Sequence, residues 1–162
     1  MAKLIIMVGL PFSGKSTRAK QLAKEYNAIV LNKDEWHIRI FAPEHGIETR
    51  EEHDTRRVAL EAIIIPLAFD LLSRGQNIIL DIGFWAKEER LNLKKKAEEI
   101  GAEFLMCYCE APPPKELAKR MAERNREQNS TSFFISEEMY KEFAPKFQAP
   151  TEDELKYDIN KR

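Results

Sequence analysis

The sequence predicts an α/β fold of three layers, with a mostly parallel central sheet of four or five strands. Short apolar runs of strand length alternate with segments of helix-forming composition, which is typical of parallel strands joined by helical crossovers. A glycine-rich motif stands between the first apolar run and the first helical segment. The 162 residues suffice for a single domain with a hydrophobic core, but hardly for two.

Four apolar runs are predicted strands, at residues 4–8, 28–31, 77–80 and 104–109. The first run, Leu-Ile-Ile-Met-Val, contains no polar residue, as expected of a strand buried on both faces of a parallel sheet. The other three are followed by Asn32, Asp81 and Glu110. Because ligands bind beyond the carboxyl ends of the strands in open parallel sheets, we expect these three side chains near a binding site.

Helices are predicted at residues 15–26, 55–74, 87–100, 115–126 and 136–147. Gly75 and Gly101 follow two of these segments at the position where glycine commonly ends a helix. Pro66 should kink or split the second helix, because proline cannot donate the intrahelical hydrogen bond. Residues 155–159 are a candidate for a short fifth strand.

Composition and charge limit the possible partners. The net charge is −1, from 26 lysines and arginines against 27 aspartates and glutamates, so any anion site must be local. The most apolar stretch, residues 59–72, is shorter than the ~20 residues that cross a bilayer and is predicted to be a buried helix. With no membrane segment and too short an apolar start for a signal peptide, a cytoplasmic location is expected. Cys107 and Cys109 are predicted to be free thiols, because two cysteines so close suit neither a structural disulfide nor a zinc site.

Residues 9–16 match the phosphate-binding pattern G-x-x-x-x-G-K-[ST] and lie directly after a strand and before a helix. The backbone of such a loop turns tightly and directs its N–H groups at phosphate oxygens. Lys15 would carry its charge to the β- and γ-phosphates, and the Ser16 hydroxyl would bind Mg²⁺ at the helix N-terminus. The motif predicts a P-loop NTPase fold that binds a nucleoside triphosphate. ATP with Mg²⁺ is the expected ligand. The predicted nucleotide-binding residues are Gly9, Pro11, Phe12, Ser13, Gly14, Lys15, Ser16, Thr17 and Arg120.

Two carboxylates are candidates for the chemistry. Asp81 ends the run Ile-Ile-Leu-Asp, the pattern of a Walker B carboxylate that contacts Mg²⁺, and the alternative is a turn-forming aspartate beside Gly83. Asp34 follows the second strand by two positions, where a carboxylate could accept the proton of an attacking hydroxyl. Its alternative role is that of a helix N-cap.

Switches, motors and kinases share the P-loop, so other residues must distinguish them. The run Asn-Lys-Asp-Glu at residues 32–35 differs from the guanine-reading Asn-Lys-x-Asp of GTPases in its fourth residue and follows an early strand, which argues against a GTPase. Arg120 and Arg124 are four residues apart on one predicted helix face and could act as a lid over the triphosphate. Alternatively, they belong to a solvated charged face with Glu116 and Glu123.

The chain resembles the P-loop kinases related to the 5′-hydroxyl polynucleotide kinases and, more distantly, the zeta toxins, an AAA-type set of ATP-binding kinases. The runs that carry the resemblance are Gly-Leu-Pro-Phe-Ser-Gly-Lys-Ser-Thr, Asn-Lys-Asp-Glu, Asn-Ile-Ile-Leu-Asp and Lys-Arg-Met-Ala-Glu-Arg-Asn. The resemblance implies phosphoryl transfer from ATP to a hydroxyl, with Asp34 as general base and Arg124 and Arg120 as lid. The sequence departs at His37, where polynucleotide kinases of this type carry an arginine that grips the acceptor phosphate. Arg39 is a candidate substitute, and an acceptor without that phosphate is the alternative.

The resemblance implies a single kinase domain over residues 1–162, with a lid at about residues 115–135. An acceptor pocket is expected within residues 36–57, and a small molecule is favoured over a polynucleotide 5′ end because the charge is balanced. The second class of function is an ATP-binding or ATP-hydrolysing switch without an acceptor. The three histidines show no recognisable metal-ligand spacing and are expected on surfaces or loops. The residues expected to form the pocket are Trp36, Arg39, Phe41, Arg50, Arg56 and Arg57, and the histidines are His37, His45 and His53.

Overall fold

The computed structural model describes residues 1–41, 48–127 and 132–161. Its four strands form one parallel sheet in the order β2-β3-β1-β4. The α/β class and the P-loop NTPase arrangement of the prediction are confirmed. The strands are β1 (Lys3–Val8), β2 (Ala28–Asn32), β3 (Asn77–Gly83) and β4 (Glu103–Tyr108).

Helices cover both faces of the sheet and continue beyond its last strand. The helices are α1 (Lys15–Glu25), α2 (Lys33–Phe41), α3 (Arg50–Ser73), α4 (Lys87–Glu99), α5 (Pro114–Glu127), α6 (Glu137–Phe143) and α7 (Glu152–Leu155). Short 3-10 turns follow α6 and α7, at Ala144–Lys146 and Ile159–Lys161.

Strand β1 is central, and its alternating residues divide the core into two parts. Ile5 and Met7 pack with Ala19 and Leu22 of α1 on one face of the sheet. On the other face, the even-numbered residues of β1 pack against α3 and α4, through Leu60, Ile64, Ala68 and Leu72 of α3 and Leu93 and Ala97 of α4. The fold therefore has the predicted three layers, and the loop that leaves β1 emerges between the ends of β3 and β4.

Several element predictions are wrong in detail. Helix α2 was not predicted, and α3 begins at Arg50, five residues early, because Thr49 and Glu52 form a reciprocal capping box there. Helix α3 also runs unbroken through Pro66, so the proline does not split it. The proposed fifth strand at residues 155–159 is absent, since this segment makes only one isolated bridge, between Met106 and Asp158.

Helix α3 is apolar on two faces, so the prediction of a buried helix is only half right. Leu60 and Ile64 are buried against the sheet, whereas Val58 and Ile63 are 57% and 60% exposed on the opposite face. Among the described residues, no helix is long and apolar enough to cross a membrane.

A buried ion pair fixes the C-terminal segment to the domain. Arg90 of α4 donates from Nε and Nη2 to the two carboxylate oxygens of Glu154, at 2.7 and 3.2 Å, and both side chains are almost fully buried. The remaining guanidinium donor, Nη1, reaches the carbonyl oxygens of Phe84 and Trp85. One arginine thus joins α4, the loop after β3 and the C-terminal segment.

We predict that Glu154→Ala lowers the free energy of unfolding by about 3–5 kcal/mol, because it leaves the buried Arg90 guanidinium without its counter-charge. Urea denaturation measures this change. The matched control is Glu98→Ala, which removes the exposed partner of Lys94 and should cost less than about 1 kcal/mol. Equal losses for the two variants would contradict a structural role for the buried pair.

Candidate nucleotide-binding site

The loop between β1 and α1 closes tightly against the end of β4. Gly9 has φ of 148°, and a Cβ at this position would collide with the carbonyl oxygen of Cys109 and lie 2.9 Å from Ser13 Oγ. Gly14, with φ of 88°, occupies the N-cap position of α1 and offers no capping side chain. The first amides of α1 are therefore left for an external anion, as in other helix N-termini that bind phosphate.

Phe12 lies in the same loop with φ of 65°, a left-handed conformation that costs a residue with a Cβ about 1–2 kcal/mol. Its side chain is 6% exposed and packs in a small cluster with Leu10, Ile135 and Tyr140. The packing of this ring offsets the backbone cost.

Polar groups of the loop are arranged for a ligand. The Ser13 hydroxyl is buried and has no hydrogen-bond partner within the described residues, although buried hydroxyls are normally paired. Lys15 donates from Nζ to the carbonyl oxygen of Leu10 at 2.7 Å. Burial lowers the pKa of the Lys15 ammonium, and the negative charges of Asp81 and Asp34 oppose that shift. A polyphosphate would supply both the acceptor for Ser13 and the counter-charge for Lys15.

Asp81 lies beneath the start of α1. It is 6% exposed, and it accepts a hydrogen bond from Asn32 Nδ2 at 2.8 Å. Burial raises the pKa of its carboxyl group, and the nearby Ser16 hydroxyl, the charge of Lys15 and the Asn32 hydrogen bond oppose that shift. A hydroxyl and a buried carboxylate side by side are oxygen donors that suit Mg²⁺, so the predicted pair Ser16 and Asp81 fits that ion.

The three polar residues that were predicted to follow strands do not lie together at one binding site. Asn32 and Asp81 face each other across β2 and β3, but β3 continues two residues beyond Asp81, to Gly83. Glu110 is exposed and is not among the residues that line the cleft.

Asp34 stands in the first turn of α2, and the cap of that helix is Asn32. The Asn32 Oδ1 accepts the backbone N–H of Glu35 at 2.8 Å, which is the bond of an N-cap residue to the third helical residue. The alternative role of Asp34 as N-cap is therefore wrong. Its carboxylate is 53% exposed and lines the same cleft as Lys15 and Arg124.

Both arginines of α5 reach the P-loop through Phe12. Arg120 donates from Nη1 to the Phe12 carbonyl oxygen at 3.1 Å and from Nε to Glu116 at 2.8 Å. The Arg124 guanidinium carbon lies 4.0 Å from the centre of the Phe12 ring, and Nη2 donates to the Phe133 carbonyl oxygen at 3.2 Å. Burial lowers the pKa of Arg124, while the charge of Asp34 opposes the shift.

One cleft of about 1680 Å³ brings the predicted site residues together. The predicted residues that line it are Pro11, Phe12, Ser13, Gly14, Lys15, Ser16, Thr17, Asp34, Asp81, Arg120 and Arg124. Gly9 is outside this set because it acts through its backbone, by allowing the loop to approach Cys109.

Only some of the residues predicted for an acceptor pocket line the cleft. Arg50 and Arg57 line the cleft, but Trp36 and Phe41 pack against the core. Arg39 is exposed, is bonded to Glu35 and does not line the cleft, so it does not replace the missing arginine. The sequence analysis gave Glu48 and His53 no specific role in the pocket, and it did not single out Trp85, Phe133 or Phe134, which also line the cleft.

Glu48 is the centre of a buried polar network beside this cleft. It accepts hydrogen bonds from His37 Nε2 at 2.7 Å, His53 Nδ1 at 2.9 Å and Arg56 Nη1 at 2.8 Å. Burial would raise the pKa of Glu48, but these three partners hold it below its ordinary value. The expectation that His37 is a surface or loop residue is wrong, since it is 1% exposed within α2. His45 lies outside the described residues.

His37, Glu48 and His53 place three possible ligand atoms within 4.8 Å of one another, but the arrangement does not suit a metal ion. The imidazole rings are stacked at 4.8 Å with planes 23° apart, so their in-plane lone pairs do not converge. Arg56 also places a positive charge on the carboxylate. These contacts describe a hydrogen-bonded network that joins α2 to α3.

This fold and this site define a nucleotide-binding P-loop protein. The chain belongs to the AAA domain family, whose model matches residues 4–150. The predicted resemblance to P-loop kinases is thereby confirmed. No match was found among the curated proteins.

Three solved structures illustrate the similarity. A candidate kinase from Chloroflexus aurantiacus has a TM-score of 0.74 at 19% identity, over 93% of this chain and 82% of that chain. Kti12 from Chaetomium thermophilum, solved with ADP-AlF3, has a TM-score of 0.67 at 21% identity, over 96% and 85%. A chain of the Pnkp1/Rnl/Hen1 RNA repair complex has a TM-score of 0.68 at 22% identity, over 99% of this chain but only 46% of that chain. At these identities the similarity shows the fold.

We predict that Lys15→Ala weakens ATP binding about 10- to 100-fold, because it removes a charged hydrogen-bond donor from the phosphate loop. Titration with a fluorescent ATP analogue in the presence of Mg²⁺ measures the change. Lys24→Ala, on the exposed side of the same helix, is the control and should bind as the parent does. Unchanged affinity in Lys15→Ala would show that nucleotide does not occupy this loop.

Proposed function

We propose that this chain is an ATP-dependent kinase that transfers the γ-phosphoryl group of ATP to a hydroxyl of a small molecule. The observation that carries the proposal is the position of Asp34. Because Asn32 caps α2, the Asp34 carboxylate is available to the cleft that also holds Lys15 and the two arginines of α5. We propose further that residues 1–162 act as one kinase domain with residues 115–135 as its lid.

In this proposal the P-loop amides and Lys15 bind the β- and γ-phosphates. Ser16 and Asp81 hold Mg²⁺, which when bound would neutralise phosphate charge. Arg120 and Arg124 stabilise the charge on the transferring group from the opposite side. Lys15 and Ser16 are positioned by the start of α1, Asp81 by β3 and the two arginines by α5.

Asp34 would orient the acceptor hydroxyl and accept its proton. As the acceptor oxygen forms its bond to the γ-phosphorus, the bond between that phosphorus and the bridging oxygen breaks, and ADP leaves with the electron pair. The adjacent cation, Lys33 Nζ, lies 4.0 Å from Asp34 and 3.4 Å from Glu61, so its charge is shared by two carboxylates.

We predict that Asp34→Asn lowers kcat about 10²- to 10⁴-fold with little change in ATP affinity, because the amide cannot accept the proton. Phosphoryl transfer and ATP binding are measured separately, with an acceptor found by screening a panel of hydroxyl compounds. Glu35→Gln is the matched control, because this neighbouring carboxylate also lines the cleft but is already bonded to Arg39. Full transfer activity in Asp34→Asn would remove Asp34 as the base.

The charges on the side of the cleft formed by α2 and α3 favour a phosphoryl acceptor that carries no phosphate of its own. Every lysine and arginine of α2 and α3 is bonded to a carboxylate: Lys33 to Glu61, Arg39 to Glu35, Arg50 to Glu142, Arg56 to Glu48 and Arg57 to Glu61. Polynucleotides are bound chiefly through cations that meet their phosphates. The cleft also presents the carboxylates of Glu48 and Glu61 and, from outside α2 and α3, the rings of Phe133 and Phe134. This lining suits a neutral or amine-bearing polyhydroxyl compound.

We predict that γ-labelled ATP labels neutral or amine-bearing polyhydroxyl compounds and does not label 5′-hydroxyl oligonucleotides under the same conditions. Lys15→Ala is the control for contaminating kinases. Strong labelling of the oligonucleotide would overturn the choice of acceptor and leave the kinase proposal in place. ATP hydrolysis that no hydroxyl compound stimulates would instead favour a switch without an acceptor.

A further inference from the structure

Phe12 is the one residue of the P-loop that both lid arginines contact. Its ring lies under the Arg124 guanidinium at 4.0 Å, within the range of a cation–π interaction, and its carbonyl oxygen accepts a hydrogen bond from Arg120 at 3.1 Å. The two contacts use different parts of one residue and lie on successive turns of α5.

The backbone of Phe12 makes this arrangement informative. A glycine would adopt φ of 65° without strain, whereas a residue with a Cβ does so only when its surroundings stabilise it. The ring supplies that stabilisation through Leu10, Ile135 and Tyr140, where its centroid lies 6.1 Å from that of Tyr140. A strained residue that is held in place at a phosphate loop points to a role in the site.

Helix α5 depends on such contacts because it has little packing of its own. None of its residues is buried, and its apolar side chains Leu117 and Met121 are only partly covered, against the cluster around Phe12. Arg124 is held on its other side by the Phe133 carbonyl oxygen, and the Phe133 ring packs edge-on against His37 and His53. Within the described residues, the Arg124 Nε is buried and has no hydrogen-bond partner.

We propose that Phe12 is a positioning residue whose ring and carbonyl group hold Arg124 and Arg120 over the phosphate loop, so that both arginines meet the γ-phosphate when ATP binds. This inference rests on the proposed nucleotide site. Arg124 can donate to a phosphate oxygen from Nε, which has no hydrogen-bond partner within the described residues. Arg120 can do so from Nη1 if a phosphate replaces the Phe12 carbonyl oxygen as the acceptor.

The test compares affinities for ATP and ADP with Mg²⁺, because a contact to the γ-phosphate affects only ATP. The variants are Phe12→Leu, which keeps apolar bulk without the ring, and Phe12→Tyr, which keeps the ring. Phe12→Gly removes the ring and the backbone strain together, so a loss that it shares with Phe12→Leu is due to the missing ring and not to strain. We expect Phe12→Leu and Phe12→Gly to lose about fivefold of the preference for ATP over ADP, and Phe12→Tyr to retain it.

A double-mutant cycle shows whether the effect passes through Arg124. In the Arg124→Ala background, Phe12→Leu should cause no further loss of ATP preference, whereas independent effects would add. An unchanged or increased ATP preference in Phe12→Leu and Phe12→Gly, or full additivity in the cycle, would overturn the inference. Failure of the nucleotide site itself is distinguishable, since the parent would then bind neither ATP nor ADP.

Discussion

The close approach of the P-loop to the end of β4 is the constraint on which the rest of the site depends. Because β1 lies between β3 and β4, its loop must turn immediately above the sheet, and only glycine fits at position 9 beside the Cys109 carbonyl group. That turn directs α1 back over the sheet and places Ser16 near Asp81. The loop backbone proposed to bind phosphate and the carboxylate proposed to hold Mg²⁺ thus both owe their positions to one strand order.

Charge is distributed very differently on the two sides of the cleft. On the proposed phosphate side, Lys15 and Arg124 are partly buried and donate hydrogen bonds to carbonyl oxygens, so within the described residues no direct ion pair cancels their positive charge. On the side of α2 and α3, the cations are bonded to carboxylates. A chain with a net charge of −1 therefore concentrates its positive potential where a triphosphate would bind.

The features that the sequence predicts best are those determined by residues close together in the chain. The P-loop is a local motif, and its residues could be named because strand, glycines and helix follow one another in the chain. The role of Asp34 could not be decided, because the cap of α2 depends on where that helix begins, and the apolar pattern did not mark α2. Glu48 gave no signal, since its partners His37, His53 and Arg56 come from two helices that meet only in the fold. Residues 155–159 do not form a strand, because a short helix capped by Thr151 and Glu154 extends to Leu155 and a 3-10 turn begins at Ile159.

The weak packing of α5 suits the lid role that we propose for it. A segment without buried residues has low local stability, so moving it costs little free energy. The contacts that hold it, a carbonyl group and an aromatic ring of Phe12, attract cations less strongly than a phosphate does. An arriving γ-phosphate could therefore displace these contacts at small cost, and the arginines would need to move little because they already lie above the loop. A stronger partner, such as a carboxylate at position 12, would hold the lid more firmly but would compete with the nucleotide for the same guanidinium groups.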